Sequence, residues 1–251
     1  MDCIMVDLEI NGKEARQGHL NTVISRHTME DVKRIRSVVK GSRLLVRINP
    51  LFDGSGEEIE KCIALNADII MLPMFTRAAE VNRFVELVRG RAQAWLLLET
   101  PQAFVRADEI VQCRGVDAVH LGLNDLHLGM GLAFMFELLA HGLVDRLAAQ
   151  FTKRGIKFGF GGVAPVNTGA LDAGLILSEH VRLNSTQVIL SRDFLKVFDA
   201  GEAMAMTQFR SEVSSLRNEV DRLKQCPMKE LMRNSAEVKR VVKELVRMKL
   251  V

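Results

Sequence analysis

Glu99 and Asp125 close two stretches that otherwise read as buried strands, Trp95-Leu96-Leu97-Leu98-Glu99-Thr100 and Val119-His120-Leu121-Gly122-Leu123-Asn124-Asp125-Leu126. An unpaired charge inside a core is expensive. Two carboxylates at neighbouring strand tips, joined by water and substrate oxygens, instead make a site for a hard cation such as Mg2+ or Mn2+. Taken singly, each also fits a helix cap, because helical or turn sequence follows both. Arg47 is a third anomaly, set inside the apolar run Leu44-Leu45-Val46-Arg47-Ile48. A buried guanidinium needs a partner. A substrate carboxylate suits its planar fork, and so does an internal salt bridge to Asp7 or Glu9; the two readings are compatible if the acid orients the arginine.

Two further segments carry polar chemistry. The stretch 12–27 is long and polar for a segment that follows a strand, and it holds Arg16, Gln17, His19 and His27. Loops of this kind commonly carry function. Arg16 and Gln17 are expected at the substrate, and His19 or His27 can move a proton near neutral pH. A solvated loop with a helix cap at Thr28 accounts for the same residues without chemistry. Gly161 and Gly162, in Gly159-Phe160-Gly161-Gly162, allow backbone amides to approach a substrate anion. Glycine at a strand end also serves tight packing. Tyrosine is absent, which removes one common general acid.

The elements that must position these residues follow from the apolar pattern. Candidate strands at 3–9, 43–49, 68–74, 93–99, 117–124, 157–163 and 186–190 are nearly continuous in apolar residues. Strands covered on both faces read this way. Amphipathic helices are predicted between them at 28–39, 57–64, 77–89, 101–114, 134–154 and 172–183. Alternation of this kind implies an α/β fold with a parallel sheet. A closed TIM-type (β/α)8 barrel needs eight strands, and seven are present, the first beginning almost at Met1. The expectation is a barrel lacking its first strand and helix, either because a strand-helix unit lies upstream or because the barrel is open or otherwise completed.

Residues 1–200 are expected to form the barrel and residues 201–251 a helical extension. Within the extension Phe209, Val213, Leu216, Val220 and Leu223 repeat at a 4-3-4-3 spacing, and a second helix is predicted over 230–249. Such a hairpin is expected to pack on a neighbouring subunit, giving a homo-oligomer. Residues 203–251 hold 11 Lys/Arg against 6 Asp/Glu, whereas residues 1–202 hold 23 against 25. A total of +3 is too small to argue for nucleic acid, and the local excess fits a solvated helix face. No apolar run approaches membrane-spanning length. The four cysteines are scattered, without CxxC or zinc-ligand spacing, which favours reduced thiols and a cytoplasmic setting.

The pieces together resemble the 2-oxo-acid aldolase and citrate lyase beta-subunit family of HpcH/HpaI type. The matching stretches are Val6-Asp7-Leu8-Glu9, Val46-Arg47-Ile48-Asn49-Pro50, Ile70-Met71-Leu72-Pro73-Met74, Leu97-Leu98-Glu99-Thr100 and Gly122-Leu123-Asn124-Asp125-Leu126, in the family's order. The resemblance implies a (β/α)8 barrel, assembly through C-terminal helices, Glu99 and Asp125 as metal ligands, and Arg47 gripping the substrate's carboxylate or carbonyl oxygen. Three departures stand out. Family members carry a further strand and helix before the Asp-Leu-Glu strand. Ile10 stands where the aldolase branch has a histidine and the citrate lyase branch an acid. The Leu-Asn-Asp-Leu-His-Leu-Gly run at Asp125 differs from the Gly-Pro-x-Asp-Leu of pyruvate aldolases. The expected activity is a metal-dependent carbon-carbon lyase acting on a small 2-oxo acid. The alternatives are a citrate-lyase-like enzyme acting on an acyl-thioester and an inactive barrel serving in assembly.

Overall fold

The computed structural model describes residues 1–12, 25–166, 168–200 and 202–249. Its strands are β1 (Cys3–Asp7), β2 (Arg43–Arg47), β3 (Ile69–Leu72), β4 (Gln93–Leu98), β5 (Ala118–Leu121), β6 (Lys157–Val163) and β7 (Gln187–Leu190). They follow chain order in one seven-stranded sheet. Among the described residues the order is an open run and not a closed ring, so the fold is α/β with a parallel half-barrel sheet of the TIM kind. Two compact units divide the chain, Met1–His120 and Leu121–Val251.

In the first unit the crossovers are α1 (Met29–Val38), α2 (Ser55–Ala64) and α3 (Ala78–Val88), followed by the short α4 (Pro101–Val105) and α5 (Ala107–Ile110). The single helix expected over 101–114 is thus two pieces. Side chains alternate across each strand, and the two faces differ. Val6, Leu44, Val46, Ile70, Leu72, Leu96 and Leu98 are buried, as are Val32, Ile59, Val81 and Phe84 of the crossover helices. The opposite face has Leu45, Ile69, Met71 and Leu97 as a second apolar cluster, with Cys3 and Trp95 packed against it. Continuing along that face by steps of two brings Cys3 to Asp7, Leu45 to Arg47 and Leu97 to Glu99. A polar layer therefore caps an apolar one at the carboxyl ends of the strands.

Local caps fix the helix starts next to this layer. Thr28 N–H and its hydroxyl both donate to Asp31 Oδ2, which opens α1. Thr76 N–H, its hydroxyl and Arg77 N–H donate to Glu80 Oε2 at the start of α3. Directly after Glu99, Thr100 Oγ1 accepts from Ala103 N–H at 3.1 Å and donates to Phe75 O at 2.7 Å, with Pro101 opening α4. A cap of this type stabilises by about 1 kcal/mol.

The second unit contains α6 (Leu123–Gly129), α7 (Glu137–Ala140), α8 (Leu143–Arg154), α9 (Ala173–Arg182), a 3₁₀ segment (Arg192–Ala200), α10 (Glu202–Lys224) and α11 (Met228–Lys249). Gly142, at φ +73°, separates α7 from α8 within the stretch expected as one helix. Strand β6 pairs with β7 through a register shift between Gly159 and Gly162. A Cβ on Gly159 would stand 2.1 Å from Gln187 O, so only glycine lets the strands approach there. Leu216, Leu223 and Leu231 join Val163, Ala173, Leu177 and Phe194 in one core, with Phe209, Val213 and Val220 packed against it. The apolar row of α10 is therefore covered by the chain's own elements. Among the described residues no helix is long and apolar enough to cross a membrane.

Candidate active site

The carboxyl ends of β1, β2 and β4 gather four charged side chains. Asp7 and Arg47 are register partners at the ends of adjacent strands. Arg47 Nε donates to Asp7 Oδ1 at 2.8 Å and Nη2 to Asp7 Oδ2 at 2.6 Å, a two-pronged pairing; Nη2 also lies 3.5 Å from Glu9 Oε2. Nη1 makes no hydrogen bond among the described residues. Asp7, Glu9 and Glu99 are 5%, 2% and 3% exposed, so the acids are withdrawn from bulk water. Burial works against the Arg47 charge, but the bonds and charge of Asp7, and then the charges of Glu9 and Glu99, outweigh it. The guanidinium pKa is pushed above its ordinary value. Three buried carboxylates thus act on one guanidinium.

Glu99 sits immediately after β4, where the apolar run stops. Its Oε1 accepts from Met74 N–H at 3.2 Å. Met74 reaches that position with φ +55°, a left-handed conformation that costs a non-glycine residue about 1–3 kcal/mol. Strain of that kind persists where surrounding structure holds it. Here it directs a backbone donor onto a buried carboxylate.

The structure sorts the sequence candidates. Arg47 and Glu99 belong to one cluster, and His27 joins its edge, because His27 Nδ1 accepts from Asp7 N–H at 3.2 Å. That bond places the proton of neutral His27 on Nε2. His27 is exposed. Arg16, Gln17 and His19 lie outside the described residues. Asp125 is in the second unit and half-buried, in the first turn of α6. The strand expected over 117–124 ends at Leu121, and Gly122 opens the helix. Gly161, also in the second unit, takes φ +57°, and a Cβ there would meet Leu123 Cδ1 at 3.1 Å; Gly162 follows it in β6.

Sequence reading missed Asn49 and Glu58. Asn49 is 7% exposed, and its Oδ1 accepts from Ile10 and Asn11 N–H at 2.9 and 3.0 Å. Its Nδ2 donates to Glu58 Oε1 at 2.7 Å. The available signal was a polar residue before Pro50 at the end of a buried strand. Ile10, at the position of the family's histidine or acid, is 55% exposed.

The donor set suits a hard divalent cation. It consists of carboxylate oxygens, with no thiol among them. Among the described residues no three His, Cys, Asp or Glu side chains are grouped to hold a metal alone. Water and ligand oxygens would have to complete any coordination.

The family model for HpcH/HpaI aldolase/citrate lyase matches residues 1–135. No curated protein matches the sequence. Among solved structures, the HpcH/HpaI aldolase from Desulfitobacterium hafniense DCB-2 is similar, with 17% identity and a TM-score of 0.58, over 90% of this chain and 85% of that one. CitE from Mycobacterium tuberculosis, in complex with magnesium and pyruvate, aligns at 14% identity and a TM-score of 0.59, over 95% of this chain and 88% of that one. The citrate lyase beta subunit from M. tuberculosis, complexed with oxaloacetate and magnesium, aligns at 18% identity and a TM-score of 0.57, over 90% and 87%. At these identities the likeness is one of fold.

Proposed function

Because this chain belongs to the HpcH/HpaI aldolase/citrate lyase family, we propose that it is a metal-dependent carbon-carbon lyase acting on a small 2-oxo acid. The buried acids Asp7, Glu9 and Glu99 gathered with Arg47 at the carboxyl ends of β1, β2 and β4 carry this reading, since carboxylate oxygens withdrawn from bulk water are the ligands a hard cation takes. Glu99 and Asp125 would hold Mg2+ or Mn2+. Magnesium bound together with pyruvate or oxaloacetate in the two M. tuberculosis proteins supports that choice of ion and ligand. A bound divalent cation polarises ligand oxygens and stabilises negative charge that develops on them.

The chain's own residues supply the rest. Asp7 holds Arg47 by Nε and Nη2, so the guanidinium offers Nη1 to a single substrate oxygen and not its whole fork. A fixed donor of this kind stabilises an oxygen that gains charge as the adjacent carbon-carbon bond breaks. His27, carrying its proton on Nε2, serves as proton carrier beside Asp7; His19 is the second candidate. Arg16, Gln17 and the amides of Gly161 and Gly162 would contact the substrate. The domain reading is a lyase domain over 1–200 with 201–251 as an assembly element. Met206 on α10 and Met228 and Met232 on α11 are exposed, and these two helices are the elements through which copies of this chain would associate.

The test uses the full chain with Mg2+ or Mn2+. Pyruvate release is followed from a panel of 4-hydroxy-2-oxo acids, together with exchange of pyruvate methyl protons. Metal-dependent release or exchange is expected. Metal binding without either one overturns the 2-oxo-acid lyase reading and leaves the acyl-thioester enzyme and the assembly protein.

A further inference from the structure

We infer that Glu58 is a positioning residue for the proposed reaction, holding the segment after β1 in place through the Asn49 side chain. The inference rests on the lyase reading for its catalytic consequence, but its geometry stands alone. From Asp7 to Asn11 every backbone N–H has an acceptor. Asp7 donates to His27 Nδ1, Leu8 to Arg47 O, Glu9 to Asp7 Oδ1, and Ile10 and Asn11 both donate to Asn49 Oδ1. Only the Leu8 bond is of the ordinary strand kind. The segment that carries Asp7 and Glu9 is therefore shaped by side-chain acceptors. Asn49 is the one that fixes its far end, just before Gly12 turns the chain with φ +73°.

An amide side chain can perform this task in one orientation only. Flipped, its NH2 would confront two N–H donors, leaving Ile10 and Asn11 without an acceptor. Glu58, in the first turn of α2, selects the working orientation. It accepts from Asn49 Nδ2 at 2.7 Å and from Asn49 N–H at 3.2 Å. Among the described residues Glu58 forms no salt bridge, and both of its partners are atoms of Asn49. Burial pushes its carboxyl up, against the pull of those bonds. A half-buried acid that, among the described residues, has no cationic partner and hydrogen-bonds one residue is an orienting group, and small misplacements near reacting groups can cost about 10²-fold in rate.

The test exchanges donor and acceptor. Asn49→Asp removes the Nδ2 donor and sets two carboxylates against each other, while Asn49→Asp combined with Glu58→Gln restores a donor-acceptor pair with the polarity reversed. Hydrogen exchange at the Ile10 and Asn11 amides is the readout that requires no activity. Exchange is expected to speed at least about tenfold in Asn49→Asp and to return toward the wild-type rate in the double variant, with α3 amides unchanged in both. Where the wild type turns over, kcat should fall by about 10- to 100-fold with KM little altered, and recover in the double variant. Equal exchange in the single and double variants overturns the inference. So does Glu58→Ala with undisturbed protection at Ile10 and Asn11. Rescue of exchange in a chain that cleaves no oxo acid upholds the inference and counts against the lyase reading alone.

Discussion

Each unit buries one arginine among carboxylates, and the two arginines are about equally hidden, with Arg47 15% and Arg182 11% exposed. Arg182 spends its entire fork. Nε and Nη2 bond Glu179 at 2.9 and 2.6 Å, and Nη1 pairs with Asp145 at 2.7 Å. One guanidinium there meets two carboxylates, and α9 is tied to α8. Arg47 is held by two nitrogens, keeps Nη1 unspent among the described residues, and sits among three acids. Burial alone does not distinguish a structural ion cluster from a site. What differs is whether the arginine's donors are saturated.

The largest expected effect lies on the saturated side. Arg182→Met strands Glu179, which is 1% exposed, and should cost about 3–5 kcal/mol, a fall on the order of 10 °C in Tm. Mg2+ should not restore it; restoration by metal would erase the contrast between the clusters. On the unsaturated side, Glu99→Gln should abolish metal-induced stabilisation. That stabilisation is about 2.7 kcal/mol when the ion is at a hundred times its Kd. An unchanged thermal response to metal would remove Glu99 from the ligand set.

Arg47→Lys keeps a positive charge but loses the paired bonds and the spare nitrogen. Turnover should drop by about 10²-fold or more while the thermal response to metal stays close to wild type. Equal loss of both would make Arg47 a structural residue like Arg182. The smallest effect concerns Glu58, whose carboxyl is raised by burial. The folded chain binds that proton at a pH where the unfolded chain has already released it. Stability therefore falls as pH rises from the ordinary glutamate value through the folded one, and levels off above it. In Glu58→Gln that slope should vanish, so the variant gains on the wild type as pH rises. Parallel stability curves across this range would contradict it.

Much of the frame is legible from short-range pattern. Near-continuous apolar runs marked all seven strands, and the run ending at Glu99 placed that carboxylate at the tip of β4. Asp125 was harder. Val119-His120-Leu121-Gly122-Leu123 reads as one strand, but Gly122 ends the extended run and Leu123 and Leu126 bury a helical face. The pairing of Arg47 with Asp7 was one of two readings, and the structure realises it across 40 residues of sequence. The contact of His27 with Asp7 N–H and the amide clamp of Asn49 carried no comparable local signal, because many polar residues compete for each such role.

By itself the sequence determined the β-α alternation, the family and the placing of charges at strand ends, since hydrophobic period and strand length are properties of neighbouring residues. Tertiary structure alone decided which polar groups face one another: Asp7 on Arg47, His27 on Asp7, Asn49 between Glu58 and the segment after β1. Those choices are made when burial removes water from several polar groups at once. The pairing that survives is the one that satisfies most of them, because a buried polar group left without a partner is costly.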